Sequence, residues 1–196
     1  MKNLRILAPL AVALAFCASA HAQMGNPTGK LKVDNVAVEM VKTPKYSFSD
    51  TKDKRSTPGD WVEIEVEFSA AEDLPEATVR VHVAFKQLMG AKKYFTGEAT
   101  YINILKGKGK FAVLYMPPSA LKAIDGGRVP APGDIAEVGV ELLDKGAVSH
   151  QFNAKGERTA WWQSFQPIQG QVLNKNQTPF APLFWDRYEM LKIETR

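Results

Sequence analysis

The sequence predicts an all-β protein: an immunoglobulin-like antiparallel β-sandwich of about seven strands, followed by an aromatic-rich C-terminal extension. Three observations carry this. Apolar and polar residues alternate with period 2 in several segments, which suits strands with one face buried. Turn-forming Gly, Pro and Asp residues punctuate those segments at short intervals. No long segment before residue 154 sustains a helical repeat. Seven short alternating strands in one domain favour two packed antiparallel sheets.

The chain has 196 residues and one cysteine. It opens with MKNLRILAPLAVALAFCASAHAQ, in which Lys2 and Arg5 precede an apolar run from Leu7 to Phe16. Ala20-His21-Ala22 is a small-x-small cleavage site, so residues 1–22 are expected to be a cleaved signal peptide. The run falls short of the roughly 20 apolar residues that a membrane-spanning helix needs, and no other segment approaches it. Bulky Phe16 before Cys17 argues against lipidation. Cleavage leaves 174 residues without cysteine, and the net charge falls from +4 to +2. That length can build a single core without disulfides. The expected location is the periplasm, the outer membrane surface or the exterior.

Residues 23–30, QMGNPTGK, read as a flexible leader, and residues 31–153 as the sandwich. In LKVDNVAVEMV (31–41) Val36, Val38 and Met40 share one side. A polar connection containing Lys52-Asp53-Lys54-Arg55 follows. WVEIEVEF (61–68) is the clearest strand, with Val62, Ile64, Val66 and Phe68 opposed by Glu63, Glu65 and Glu67. ATVRVHVAFK (77–86) points Val79, Val81, Val83 and Phe85 inward and Arg80, His82 and Lys86 outward. A strand at 94–105 leads through Lys106-Gly107-Lys108-Gly109-Lys110, read as a basic hairpin tip, into a strand at 110–116 that Pro117-Pro118 ends. One helical turn is expected at Ser119–Ile124. IAEVGVELL (135–143) and residues 147–153 form a hairpin about Asp144-Lys145-Gly146.

Pro58-Gly59-Asp60 and Pro132-Gly133-Asp134 lead into similar strands, the second and sixth. In an immunoglobulin sandwich that pair faces across the core. Glu137 and Glu141 would complement Arg80 and Lys86 on neighbouring strands, at about 0.2–1 kcal/mol per pair. A simple hairpin of the second and third strands satisfies the same charges, so pairing stays open at this point.

Chemistry is sparse. A zinc or copper site needs three or four convergent ligands, whereas His82 and His150 fall on separate strands as expected exposed residues. No Gly-x-Ser-x-Gly elbow, Ser-x-x-Lys motif or P-loop occurs. No catalytic residue, metal or cofactor is expected, and no nucleic acid, because the basic loops lack interleaved aromatics.

Residues 154–196 are set apart by seven aromatics between 161 and 188, broken into short pieces by Pro167, Pro179 and Pro182. LFWDRYEMLKIE (183–194) could be a helix or a final strand. The extension either folds back over the sandwich or meets a partner. Trp161, Trp162, Phe165, Phe184, Trp185 and Tyr188 are the candidate partner or glycan contacts, since Trp and Tyr dominate interface hot spots.

PGDWVEIEVEF (58–68), PGDIAEVGVELLDKGAVSH (132–150) and the WWQSF…FWDRYEML tail resemble a family of small exported proteins of verrucomicrobial gut bacteria. The family belongs with a gene cluster for type IV pilus-like surface structures. The resemblance implies an immunoglobulin-like fold similar to archaeal pilins, and other cell-surface or pilus-like proteins as partners. One departure is plain: the expected mature chain begins QMGNPTGK, without the apolar helix of a self-polymerising pilin, which implies an accessory component. A carbohydrate-binding module using the C-terminal tryptophans and a hydrolase without a recognisable motif are the alternatives.

Overall fold

In a computed structural model the described residues are 29–46, 58–124, 126–155 and 160–193. The expected signal peptide, nearly all of the leader and the basic stretch Lys52–Arg55 lie outside them. Seven main strands stand where alternation places them: β1 (Leu31–Lys42), β2 (Asp60–Ala70), β3 (Leu74–Phe85), β4 (Lys93–Ile104), β5 (Gly107–Met116), β6 (Ile135–Asp144) and β7 (Ala147–Lys155). Two short strands, β8 (Gln166–Ile168) and β9 (Leu173–Asn174), come from the C-terminal extension. The helices are brief, α1 (Lys86–Met89) and α2 (Pro118–Ile124), the second at the expected helical turn.

The strands form two sheets, ordered β1-β2-β5-β9 and β7-β6-β3-β4-β8. With β2 and β6 in opposite sheets, the order is compatible with the immunoglobulin-like plan. The open choice of partner for β3 is also decided: it lies between β4 and β6, antiparallel to both. Inward side chains fuse into one core. Val62, Ile64, Val66 and Phe68 of β2 and Val79, Val81, Val83 and Phe85 of β3 are buried, with Leu114, Val138, Val140 and Leu142 among their companions. Tyr101 sits fully inside and crosses between the sheets, its hydroxyl donating to the Val113 carbonyl at 3.1 Å.

Four expectations change. The basic Lys106–Lys110 segment is not a hairpin tip, because β4 and β5 belong to different sheets and the chain crosses between them there. Residues 183–193 form neither helix nor strand: Pro182 and the left-handed Phe184 (φ 55°) interrupt regular structure, leaving turns and one bridge between Leu191 and Tyr101. Lys86 begins α1 instead of extending β3, so of the two expected pairs only Arg80 and Glu141 stand opposite each other. His82, expected at the surface, is buried.

Candidate functional site

The outer faces of the two sheets are where the extension acts. On β3 and β6 the outward positions carry Arg80, His82, Glu137, Gly139 and Glu141, as alternation requires. Gly139 has no side chain, and the Trp162 ring fills the vacancy: a Cβ there would lie 2.2 Å from Cζ3 of Trp162. A glycine inside a strand often marks such a close approach. Trp162 stacks on the His82 ring with centroids 4.6 Å apart and planes 16° from parallel. Trp161 meets Trp162 and Tyr94 edge-on, and Ala84 completes the cluster.

Beneath this roof lies a charged network. His82 Nε2 is 3.2 Å from Glu141 Oε2, and the Arg80 guanidinium bridges Glu141 and Glu98. Burial pushes the Glu141 carboxyl up, but hydrogen bonds from His82 and Gln151 and the charge of Arg80 outweigh it and hold the group at about 2. Burial lowers His82, against the pull of Glu141. Arg80, His82 and Glu141 themselves line an open groove of about 970 Å³, together with Glu98, Gln151 and Gln163 among others. Among the described residues, no three His, Cys, Asp or Glu side chains gather as metal ligands.

The second part of the extension covers the other sheet. Phe180 stacks on Tyr115 at 4.4 Å, and the Trp61 ring meets both edge-on. Glu65, expected to face solvent, instead accepts hydrogen bonds from the Arg187 guanidinium and from the Tyr188 hydroxyl at 2.9 Å. Those contacts lower the Glu65 carboxyl, with Arg187 the main cause. Glu65→Lys would set two cations together. It should loosen the tail and cost about 1–2 kcal/mol, kept small because Arg187 is half exposed. Thermal melting and proteolysis after Arg187 would read the loss.

The extension also closes two strand edges. On β4, residues Lys93–Phe95 pair with β8, and the Ile102 N–H donates to the Met190 carbonyl while Lys192 N–H donates to that of Thr100. On β5, Leu114 and Tyr115 pair with β9, and Glu189 N–H donates to the Phe111 carbonyl. Unpaired edges invite intermolecular pairing, and covering them is a common safeguard. The edge of β1 is treated differently. The Leu31 and Val33 N–H groups reach Ser149 and His150 side chains, but from Asn35 to Lys42 the strand pairs with β2 alone among the described residues.

The six candidate contact residues therefore separate. Trp161 and Trp162 are 3% and 5% exposed and serve the packing of the second sheet, so their faces are not offered to a glycan or a partner. Phe165 packs at the rim of the same cluster, and Tyr188 is held against Glu65. Only Phe184 and Trp185 stand out, at 53% and 75% exposed. Sequence reasoning missed the roles of Gly139 and Glu65; the glycine inside an alternating strand was the readable signal for the first.

No helix among the described residues is long and apolar enough to cross a membrane. No curated protein matches the chain. A crystal structure of a protein from Akkermansia muciniphila is similar, with a TM-score of 0.71 and 21% identity over 85% of this chain and 94% of that one, which supports the fold. A family model matches residues 22–195. The chain thus belongs to the family that its two Pro-Gly-Asp segments and its tail resemble, the verrucomicrobial proteins linked to a type IV pilus-like gene cluster.

Proposed function

We propose that this protein is a non-enzymatic, exported accessory component of a pilus-like cell-surface assembly, and that it joins its protein partner by strand addition at β1. The observation that carries this is the unequal treatment of edges. β1 and β7 both lack the cover that β4 and β5 receive among the described residues. Two register shifts interrupt β7, which blunts an edge, whereas β1 runs in regular register from Asn35 to Lys42. The extension covers the β4 and β5 edges with paired backbone, while Asn35–Lys42 remains paired on one side only among the described residues. An exposed edge accepts an extended segment through main-chain hydrogen bonds, with side-chain pockets adding selectivity. Val36, Val38 and Met40 lie partly buried along it and supply the apolar part of such a contact.

One fact favours binding over catalysis. The buried His82–Glu141 pair lines the groove, but it is stacked under Trp162 and tied into cross-strand contacts that occupy both groups. A glycan-binding role would now rest on Trp185 alone of the three tail tryptophans.

The test follows the backbone. Thr43 N–H donates to the Gly59 carbonyl, so by antiparallel alternation the Val36, Val38 and Met40 N–H groups point away from β2. Val38→Pro removes one outward donor and is a tolerated change on an edge strand. In native envelope preparations it should abolish co-purification of partner proteins while the isolated domain still melts cooperatively. Undiminished co-purification by a folded Val38→Pro protein would overturn the reading.

A further inference from the structure

Six large hydrophobic side chains are exposed among the described residues, and four of them, Phe184, Trp185, Met190 and Ile193, collect along the β4/β5 edge, with Leu105 just past the end of β4. Met190 is fixed there by its carbonyl on Ile102, Leu105 lies three residues further along the chain, and Ile193 follows the bridge at Tyr101. Phe184, Trp185, Met190 and Ile193 rim an apolar hollow of about 760 Å³. Scattered exposed hydrophobics are ordinary on a protein, whereas a gathered patch marks an interaction surface. The backbone supports the same conclusion: Phe184 adopts a left-handed φ of 55°, rare for an aromatic residue, and with it the chain turns two aromatic rings outward.

The charges around the patch are what select its occupant. Leu105 is followed by Lys106, Lys108 and Lys110, separated by glycines with left-handed φ of 134° and 68°. The Lys175 ammonium lies 5.1 Å from the Trp185 ring, but this lysine is buried and donates to the Ala181 carbonyl, and Lys192 stands between Leu191 and Ile193. Of the acids nearby, Glu189 lies against Lys110 and Glu76 against Lys192, which offsets those two lysines. The Asp73 carboxylate accepts the Lys106 backbone N–H, and Asp186 is exposed next to Trp185. Lys106 and Lys108 are exposed beside Leu105.

We infer that this edge is a membrane-docking surface, which inserts Leu105, Trp185, Met190 and Ile193 shallowly into the headgroup region of an anionic phospholipid bilayer while Lys106 and Lys108 meet lipid phosphates. Aromatic and aliphatic side chains combined with basic residues on one face are the composition of proteins that lie on a bilayer without crossing it. The inference goes beyond the accessory role and is independent of it, because strand addition uses β1 on the other side of the sandwich. The surface would set the protein on the membrane with its β1 edge directed away.

Tryptophan fluorescence tests this cleanly. Trp61, Trp161 and Trp162 are buried, so Trp185 is the ring whose surroundings change on docking. With vesicles of phosphatidylethanolamine and phosphatidylglycerol, the mature protein should show a blue-shifted emission that brominated acyl chains quench. Vesicles of phosphatidylcholine alone should produce much less. K106Q and K108Q should each weaken binding to the anionic vesicles about fivefold. W185F, which keeps an aromatic anchor, should still sediment with vesicles but lose the shift. M190S/I193S should keep the fold and lose binding about tenfold or more. Absence of vesicle binding by the parent protein, or binding unchanged in M190S/I193S, would overturn the inference. So would an emission shift caused only by lipid-free envelope protein, which would assign the patch to a protein partner. Failure of the Val38→Pro experiment would leave this result untouched.

Discussion

Val66→Asp should abolish the cooperative melting transition, or lower Tm by roughly 10 °C or more. Val66 is fully buried in β2 within the hydrophobic core, paired with Val36 on one side and Ala112 on the other. A buried unpaired charge costs at least about 4 kcal/mol, against a total stability for a typical domain of roughly 5–15 kcal/mol. At this chain length each kcal/mol is worth roughly 2–4 °C. The control is Glu67→Lys, next along the strand but on its outer face, which should change stability by less than about 0.5 kcal/mol. Differential scanning calorimetry of the two proteins decides the matter. Equal loss from both would mean that the inward face of β2 is wrongly assigned.

Gly139→Ala should destabilise the protein by about 2–3 kcal/mol, although local rules give the opposite sign. Alanine in a strand is ordinarily better than glycine by roughly 0.5–1 kcal/mol. Here the new methyl would occupy the place of the Trp162 ring, at 2.2 Å from Cζ3 and 2.4 Å from Cε3. Trp162 must therefore leave its stack on His82, exposing the His82–Glu141 pair beneath. Losing the burial of a large aromatic costs about 3–5 kcal/mol, and a partial withdrawal somewhat less. The fluorescence of the folded protein should shift to the red. In a Trp162→Ala background the same Gly139→Ala change should cost almost nothing, so the double-mutant cycle isolates the contact. Additive losses would show that Gly139 serves the strand and not the ring.

These two substitutions mark the boundary of what the sequence discloses. The strand containing Val66 was legible because Val62, Ile64, Val66 and Phe68 alternate with acids, and burial follows that period residue by residue. The same rule correctly sent His82, Glu141 and Glu65 to the outside of the sandwich. It could not tell that the outside would itself be covered, because alternation reports a face and says nothing of what later docks on it. Burial of His82 by Trp162 and capture of Glu65 by Arg187 both depend on a segment about 80 to 120 residues away. β8 and β9 were illegible for a simpler reason: strands of three and two residues are too short to show any period. In residues 183–193 an apolar spacing compatible with helix was overridden by Pro182 and by pairing with the edges of β4 and β5. The sequence marked the six aromatic candidates together and could not separate Trp161 and Trp162, which became core, from Phe184 and Trp185, which did not.

The central claim is that the extension seals one side of the sandwich and leaves the β1 edge for assembly. Residue-resolved amide hydrogen exchange on the isolated mature protein tests it most directly. The Ile102, Glu189 and Lys192 amides, each bonded across the β4 or β5 edge, should be protected nearly as well as the core strands. The Val36, Val38 and Met40 amides should exchange many times faster, and should become protected when the protein is isolated within its native assembly. Rapid exchange at Ile102, Glu189 and Lys192, together with slow exchange at Val36, Val38 and Met40 in the isolated protein, would contradict the account.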